Sequence, residues 1–166
     1  TQGVSSAASD VYKRQNKKTA KGIIAKRSLV GHNACVSRIV KCLVVEPQMG
    51  MRNLIDDVLS VSECEVTAVA SEGEALKILR SASSDFEIVV CPAPPVGAKH
   101  SLVSKIRSSA EPLADLPVLC LSPATGLQER AVAYESGASE YMVLPFSPVT
   151  LADRVRHWAG RDHKPY

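Results

Sequence analysis

An α/β fold built on a doubly wound, five-stranded parallel sheet is what this sequence predicts, and three observations carry the prediction. Five short, mainly apolar runs occur, the first of them near-continuous as expected of a strand buried on both faces. Each run is followed by a segment with helical apolar spacing or helix-cap residues. The two kinds alternate strictly, which favours parallel strands, right-handed crossovers and helices on both faces of the sheet.

The elements follow in order from Arg38. Arg38 to Val45 (RIVKCLVV) is the first strand, broken by Glu46-Pro47-Gln48. Met51, Leu54, Ile55, Val58 and Leu59 then recur at i, i+3, i+4, i+7 and i+8, one face of a helix. Glu65 to Ala70 is the second strand. Ser71-x-x-Glu74 reads as a capping box, opening a helix that buries Ala75, Leu76 and Leu79. Glu87 to Cys91 is the third strand, and Leu102, Val103 and Ile106 mark a short third helix. Pro117 to Leu121 is the fourth strand. Thr125-x-x-Gln128 is expected to cap a fourth helix that Gly137 ends. Glu140 to Leu144 is the fifth strand. Ser147 as N-cap and Pro148 at the first helical position start a last helix carrying Leu151, Val155 and Trp158.

The 166 residues suffice for one domain and a tail, and three segments are expected: a basic leader over 1–36, a folded domain over 37–160 and a tail over 161–166. The net charge of +3 hides an asymmetry. Residues 1–41 hold nine Lys/Arg against one acid, and residues 42–166 hold eleven against sixteen. A basic arm is able to meet nucleic acid, but the weak hydrophobic pattern of this one reads as a solvated, disordered leader, so nucleic-acid binding is not expected. The stretch VSSAASDVYKRQ resembles a translated sequencing-adapter read, which leaves residues 1–15 out of fold reasoning. No apolar run approaches the length of a membrane span, and a cytoplasmic location without a membrane partner is expected.

The five cysteines, Cys35, Cys42, Cys64, Cys91 and Cys120, show no CxxC spacing, and His32, His100, His157 and His163 show no metal spacing. No metal site is expected from these ligands. Cys42, Cys91 and Cys120 lie in apolar runs and read as small buried hydrophobes. No phosphate-binding glycine loop, zinc-protease motif or nucleophile elbow occurs, and the chain is not expected to be an enzyme.

Over roughly residues 38–160 the chain resembles a response-regulator receiver domain of bacterial two-component systems. The resemblance is carried by CLVVE, DFEIVVC, LPVLCLSPA and above all GASEYMVLPF. It implies the CheY-like, flavodoxin-like strand order 2-1-3-4-5 and, at the carboxyl ends of the strands, a site for phosphorylation on aspartate. Carried over by position, the acidic pair that helps hold Mg²⁺ falls on Glu46 and Pro47, so one acid is missing. The phosphoacceptor position falls on Cys91, the hydroxyl position on Ser122, the lysine position on Leu144 and the switch aromatic on Tyr141. Pro145 matches a proline that is cis in the family.

These departures point to a degenerate receiver. A thiol is a poor Mg²⁺ ligand, so Mg²⁺ binding is expected to be weak or absent, and Leu144 supplies no charge for a phosphoryl group. Glu46 reads equally as a remnant acid or a solvated strand end, and Ser122 as a cap for the turn after strand four. The implied function is phosphorelay-type signalling through a protein partner, such as a histidine kinase or an output protein. Helix four, strand five and helix five are the expected surface, with Tyr134, Tyr141, Leu151 and Trp158 as its large residues, core-facing positions for Leu151 and Trp158 as the alternative, and a homodimer as a further option. The alternatives are a receiver still phosphorylated through a non-standard carboxylate such as Asp85 or Glu87, and a thiol switch at Cys91.

Overall fold

The computed structural model describes residues 38–81, 86–98 and 100–160. The expected leader over 1–36 and tail over 161–166 lie outside them, as do Asp85, His32 and His163. Five strands, β1 (Val40–Val45), β2 (Cys64–Val69), β3 (Ile88–Pro92), β4 (Val118–Ser122) and β5 (Glu140–Val143), alternate with five helices. The helices are α1 (Met49–Ser60), α2 (Glu72–Ser81), α3 (Leu102–Arg107), α4 (Leu127–Glu135) and α5 (Pro148–Ala159), and a single 3₁₀ turn, Leu113–Asp115, precedes β4. All strand pairs are parallel, and the order is β2-β1-β3-β4-β5.

The two faces of the sheet are separate halves of one core. Alternate residues of β1, β3 and β4 point to opposite sides, as the period-two pleat requires. On one side Cys42, Val44, Ile88, Val90, Leu119 and Leu121 pack against Ile55 and Leu59 of α1 and Leu151 and Val155 of α5. On the other, Leu43, Val89, Cys91, Val118 and Cys120 meet α2, α3 and α4. The central strands read as continuous apolar runs because both of their faces are covered.

The helix ends show where local signals hold and where packing overrides them. Ser71 Oγ accepts from the Glu74 amide at 3.3 Å, but the Glu74 carboxylate reaches back to the Ala70 amide at 3.2 Å, one residue beyond a standard box. Ser101 and Ser104 cap α3 reciprocally. The expected Thr125–Gln128 cap is not formed: α4 starts at Leu127 with Gly126 as N-cap. Both peptide groups of Ala124 are held by the sheet end, as described below, so the chain turns into helix only after Gly126. The Glu129 carboxylate folds back over Gly126, occupying the space that a Cβ there would need. Ser147 is the N-cap of α5, but its hydroxyl makes no capping bond; Pro148, with its preset φ and missing amide donor, supplies the start.

Gly137 ends α4 as expected. Its φ is +99°, its amide donates to the Tyr134 carbonyl at 2.9 Å, and the Ala138 amide donates to the Ala133 carbonyl at 3.0 Å, a Schellman arrangement. β5 stops at Val143 rather than Leu144, because Pro145 has no amide to continue a ladder. The Leu144–Pro145 and Glu111–Pro112 bonds are both cis.

Candidate functional site

The strand order places the carboxyl ends of β1, β3, β4 and β5 side by side, and these carry Glu46, Cys91, Ser122 and Leu144. Two peptide links tie the last three ends together: the Ala93 amide donates to the Leu121 carbonyl and the Leu144 amide to the Ser122 carbonyl, each at 2.8 Å. The site is therefore a continuous ridge of four neighbouring chain segments, and its chemistry depends on the side chains these present.

Cys91 does not reach the ridge. β3 continues past it to Pro92, Cys91 pairs in register with Cys120, and its side chain lies in the core face under α2, α3 and α4 with 1% of its surface exposed. A hydrogen bond with the Cys120 thiol, followed by burial, holds its pKa well above the ordinary thiol value. The thiol is thus protonated and poorly placed as a surface nucleophile.

Glu46 is half-buried and turns inward on its own loop. Its carboxylate accepts from the Gln48 amide at 2.9 Å, just ahead of α1. The Arg52 guanidinium donates to the Glu46 carbonyl at 2.7 Å and to the Pro47 carbonyl at 3.3 Å, while the Pro47 ring is exposed. Arg52 was not singled out by sequence reasoning; a lone cation one turn into an otherwise apolar helix face is the signal that marks it.

Ser122 and Tyr141 converge on one residue. Ser122 is 8% exposed, and its Oγ accepts from the Ala124 amide at 3.1 Å. The Tyr141 hydroxyl donates to the Ala124 carbonyl at 2.7 Å, its ring is buried, and the Arg130 guanidinium lies 5.6 Å from the ring centroid. Ser122 therefore acts as the cap of the turn after β4, and Tyr141 is a buried side chain anchored on the Ala124 carbonyl. Leu144 is half-buried and Pro145 exposed.

These residues do not assemble a site for Mg²⁺. Of the three positions that the resemblance assigns to the metal, one holds a carboxylate that already accepts from a main-chain amide, one a proline and one a buried thiol. Mg²⁺ demands hard oxygen donors in near-octahedral geometry, which this set does not offer. Among the described residues, no group of three or more His, Cys, Asp or Glu is placed to hold a metal ion. A groove of about 400 Å³ opens over the end of β2, between Arg52 of α1 and Glu74 and Lys77 of α2. It shares only Arg52 with the ridge.

The expected interaction surface is corrected in part. Leu151 is buried in the core, Tyr141 is buried at the strand end, and Trp158 is half-buried with its Nε1 donating to Glu140 at 3.0 Å. Leu151 and Trp158 face inward because α5 must cover the apolar side of β1, β3 and β4. Tyr134 alone of the four is exposed, at 45%, and is joined on α4 by Leu127 at 86%. Only Ala133 of α4 is buried.

No family model matches the chain. Among curated relatives, the chain is 36% identical over 124 residues to the response regulator protein FleR of Pseudomonas aeruginosa, covering 73% of this chain and 25% of that protein. It is 27% identical over 125 residues to the "Probable transcriptional regulator ycf27" of Cyanophora paradoxa, covering 75% of this chain and 50% of that protein. The chain thus spans about half the length of the Cyanophora paradoxa relative and a quarter of FleR. Among solved structures, the non-phosphorylated HemR receiver domain of Leptospira biflexa superposes with a TM-score of 0.62 at 26% identity, over 76% of this chain and 99% of that one. No helix of the described residues is long and apolar enough to cross a membrane. With the parallel 2-1-3-4-5 sheet, the five βα units and these relatives together, the chain carries a receiver domain of the response-regulator type with the CheY-like fold, and its homologues are response regulators.

Proposed function

We propose that this receiver domain signals by binding another protein and does so without an aspartyl phosphate of its own. The observation that carries the reading is Cys91: at the phosphoacceptor position stands a protonated thiol, 1% exposed and packed in the core. Phosphoryl transfer is driven by placing a metal ion and cations against developing negative charge. Here Pro47 and Leu144 remove a metal ligand and a cation from the same ridge. On this reading the domain is not an enzyme and has no resident Mg²⁺.

The rival phosphorelay reading requires a different carboxylate. Glu87 stands just before β3, at the amino end of the sheet opposite the ridge, ion-paired with Arg38 and accepting from the Lys41 amide at 3.4 Å. Asp85 lies outside the described residues. Neither observation favours the rival.

The partner surface we assign to α4, β5 and α5. Leu127 and Tyr134 are seven residues apart on α4, which places them on one exposed face, and Val149 adds an exposed apolar side chain at the start of α5. A histidine kinase or an output protein is the partner proposed, with self-association through the same face as the variant. The deciding experiment is incubation with acetyl phosphate and Mg²⁺, read by intact mass and by acyl-phosphate lability at alkaline pH. No incorporation is expected. A Mg²⁺-dependent, hydroxylamine-sensitive phosphate would overturn the reading.

A further inference from the structure

The four described cysteines divide between the two faces of the sheet. Cys42 and Cys64 lie under α1 and α5, and Cys91 and Cys120 lie under α2, α3 and α4. All four are buried and reduced. Register separates the two sets. Cys91 and Cys120 are direct partners on the adjacent strands β3 and β4. Neighbouring strands run about 4.8 Å apart, and partners in register point to the same face. That spacing falls inside the Cα window of about 4.4–6.8 Å in which a disulfide closes. Cys64 instead pairs with Val40, and Cys42 with Val66, so these two are offset by two residues along the strands. Two residues of rise at about 3.3 Å each put them roughly 8 Å apart, outside the same window.

We propose that Cys91 and Cys120 form a buried dithiol that closes to a disulfide across β3 and β4 when the protein meets a peroxide. The oxidant class follows from access: a small, uncharged molecule reaches sulfurs that are 1% and 0% exposed more readily than a bulky disulfide does. One thiol sulfur attacks the peroxide O–O bond, which breaks; the sulfur becomes a sulfenic acid and one water is released. The second thiol then attacks the sulfenic sulfur. The S–S bond forms, the S–O bond breaks, and the hydroxyl leaves with the second thiol's proton as another water. Two thiols are oxidised and one hydrogen peroxide is reduced to two waters.

Burial and proximity set the course of the reaction. The thiol of Cys91 is held protonated by its partner and by desolvation, so the first step is slow. Once either sulfur is oxidised, the other is its nearest nucleophile, which favours disulfide over further oxidation to sulfinic acid. The product links the strand at the phosphoacceptor position to the strand that ends in Ser122. It is independent of whether the domain takes phosphate.

The test is peptide mapping of the full chain, reduced and then treated with hydrogen peroxide under native conditions. Remaining thiols are blocked with N-ethylmaleimide after denaturation. Lys99, Lys105 and Arg107 lie between the two cysteines, so trypsin separates them unless they are linked. A dithiothreitol-reversible Cys91–Cys120 link is expected as the dominant intrachain product, without a Cys42–Cys64 link. Its formation should be slower, by on the order of tenfold or more, than oxidation of the urea-unfolded chain, because burial suppresses the thiolate. In Cys120→Ala, Cys91 should instead progress to sulfinic acid. Recovery of both cysteines as thiols, as sulfinic acids without the link, or together with an equal Cys42–Cys64 link would overturn the proposal. Should Cys120→Ala fail to fold, the map of the unsubstituted chain decides by itself.

Discussion

Arg107, at the end of α3, is expected to be the most costly polar side chain to remove. Its Nε donates to the Gly137 carbonyl at 2.8 Å, and its Nη1 donates to the Ala114 carbonyl at 2.8 Å and the Leu116 carbonyl at 2.7 Å. Nη2 reaches Ser139 Oγ at 3.4 Å, and that oxygen also accepts from the Val118 amide at 3.1 Å. One guanidinium thus joins α3 to the 3₁₀ turn, the α4–β5 turn and the start of β4. Burial lowers its pKa, with Asp115 opposing the shift, but an Arg keeps its charge. A hydrogen bond to a charged group contributes about 1.5–3 kcal/mol, so three strong bonds would sum to roughly 4.5–9 if independent. They share one side chain, and burying the guanidinium costs several kcal/mol, which leaves a net of about 2–4 kcal/mol. Arg107→Ala should therefore lower the urea midpoint by that equivalent with m unchanged, and lower Tm by roughly 3–5 °C per kcal/mol for a domain of this size. A Cβ on Gly137 would stand 2.6 Å from Arg107 Cγ. Gly137→Ala should then cost less in the Arg107→Ala background than alone, because the clash is gone and only the penalty of the positive φ remains. A loss below about 1 kcal/mol for Arg107→Ala, or strict additivity of the pair, would refute the clamp.

Three further outcomes are expected. Cys91→Asp should not restore labelling by acetyl phosphate and should destabilise the fold by about 2–4 kcal/mol, since it buries a carboxylate against Cys120; efficient labelling of the single variant would contradict the geometry. Tyr141→Phe should cost about 1–2 kcal/mol and speed amide exchange around Ala124, whose carbonyl loses its donor; unchanged exchange by mass spectrometry would count against the anchor. The Cys42 and Cys91 pKa values are both raised above the ordinary thiol value, Cys42 by burial and then Cys64, Cys91 by Cys120 and then burial. Their contribution to stability is present below about pH 8.5, where unfolded thiols are protonated, and is lost above it. Urea unfolding under reductant should show stability falling by up to about 1.4 kcal/mol per pH unit for each thiol, and a smaller slope in Cys91→Ala. A flat profile from pH 7.5 to 9.5 would show that these thiols ionise in the fold.

The interaction face illustrates how far periodicity carries. Leu151 and Trp158 belong to the same helix as the exposed Val149, and their spacing is compatible with either side of α5 until the sheet is in place. The Thr125–Gln128 cap misled for a related reason. Its spacing is correct, but the helix start is set by the two bonds that hold Ala124 to Ser122 and Tyr141, and Tyr141 is seventeen residues away. The Gly137 terminus was legible because a helix end needing a positive φ is a local requirement.

By itself the sequence determined the five βα units, the apolar character of the central strands, and which residue types stand at the strand ends. Those are consequences of local composition: side-chain periodicity decides helix against strand, and Pro47 and Leu144 carry no charge in any conformation. The tertiary structure decided register and depth. It set Cys91 level with Cys120 inside the core rather than on the ridge, turned Ser122 and Tyr141 onto one residue, and gave Arg107 three carbonyls from two segments. Each of these arrangements includes a pair far apart in the chain, Cys91 with Cys120, Tyr141 with Ala124 and Arg107 with Gly137, and such pairings are selected by how the two core faces close, which no window of sequence contains.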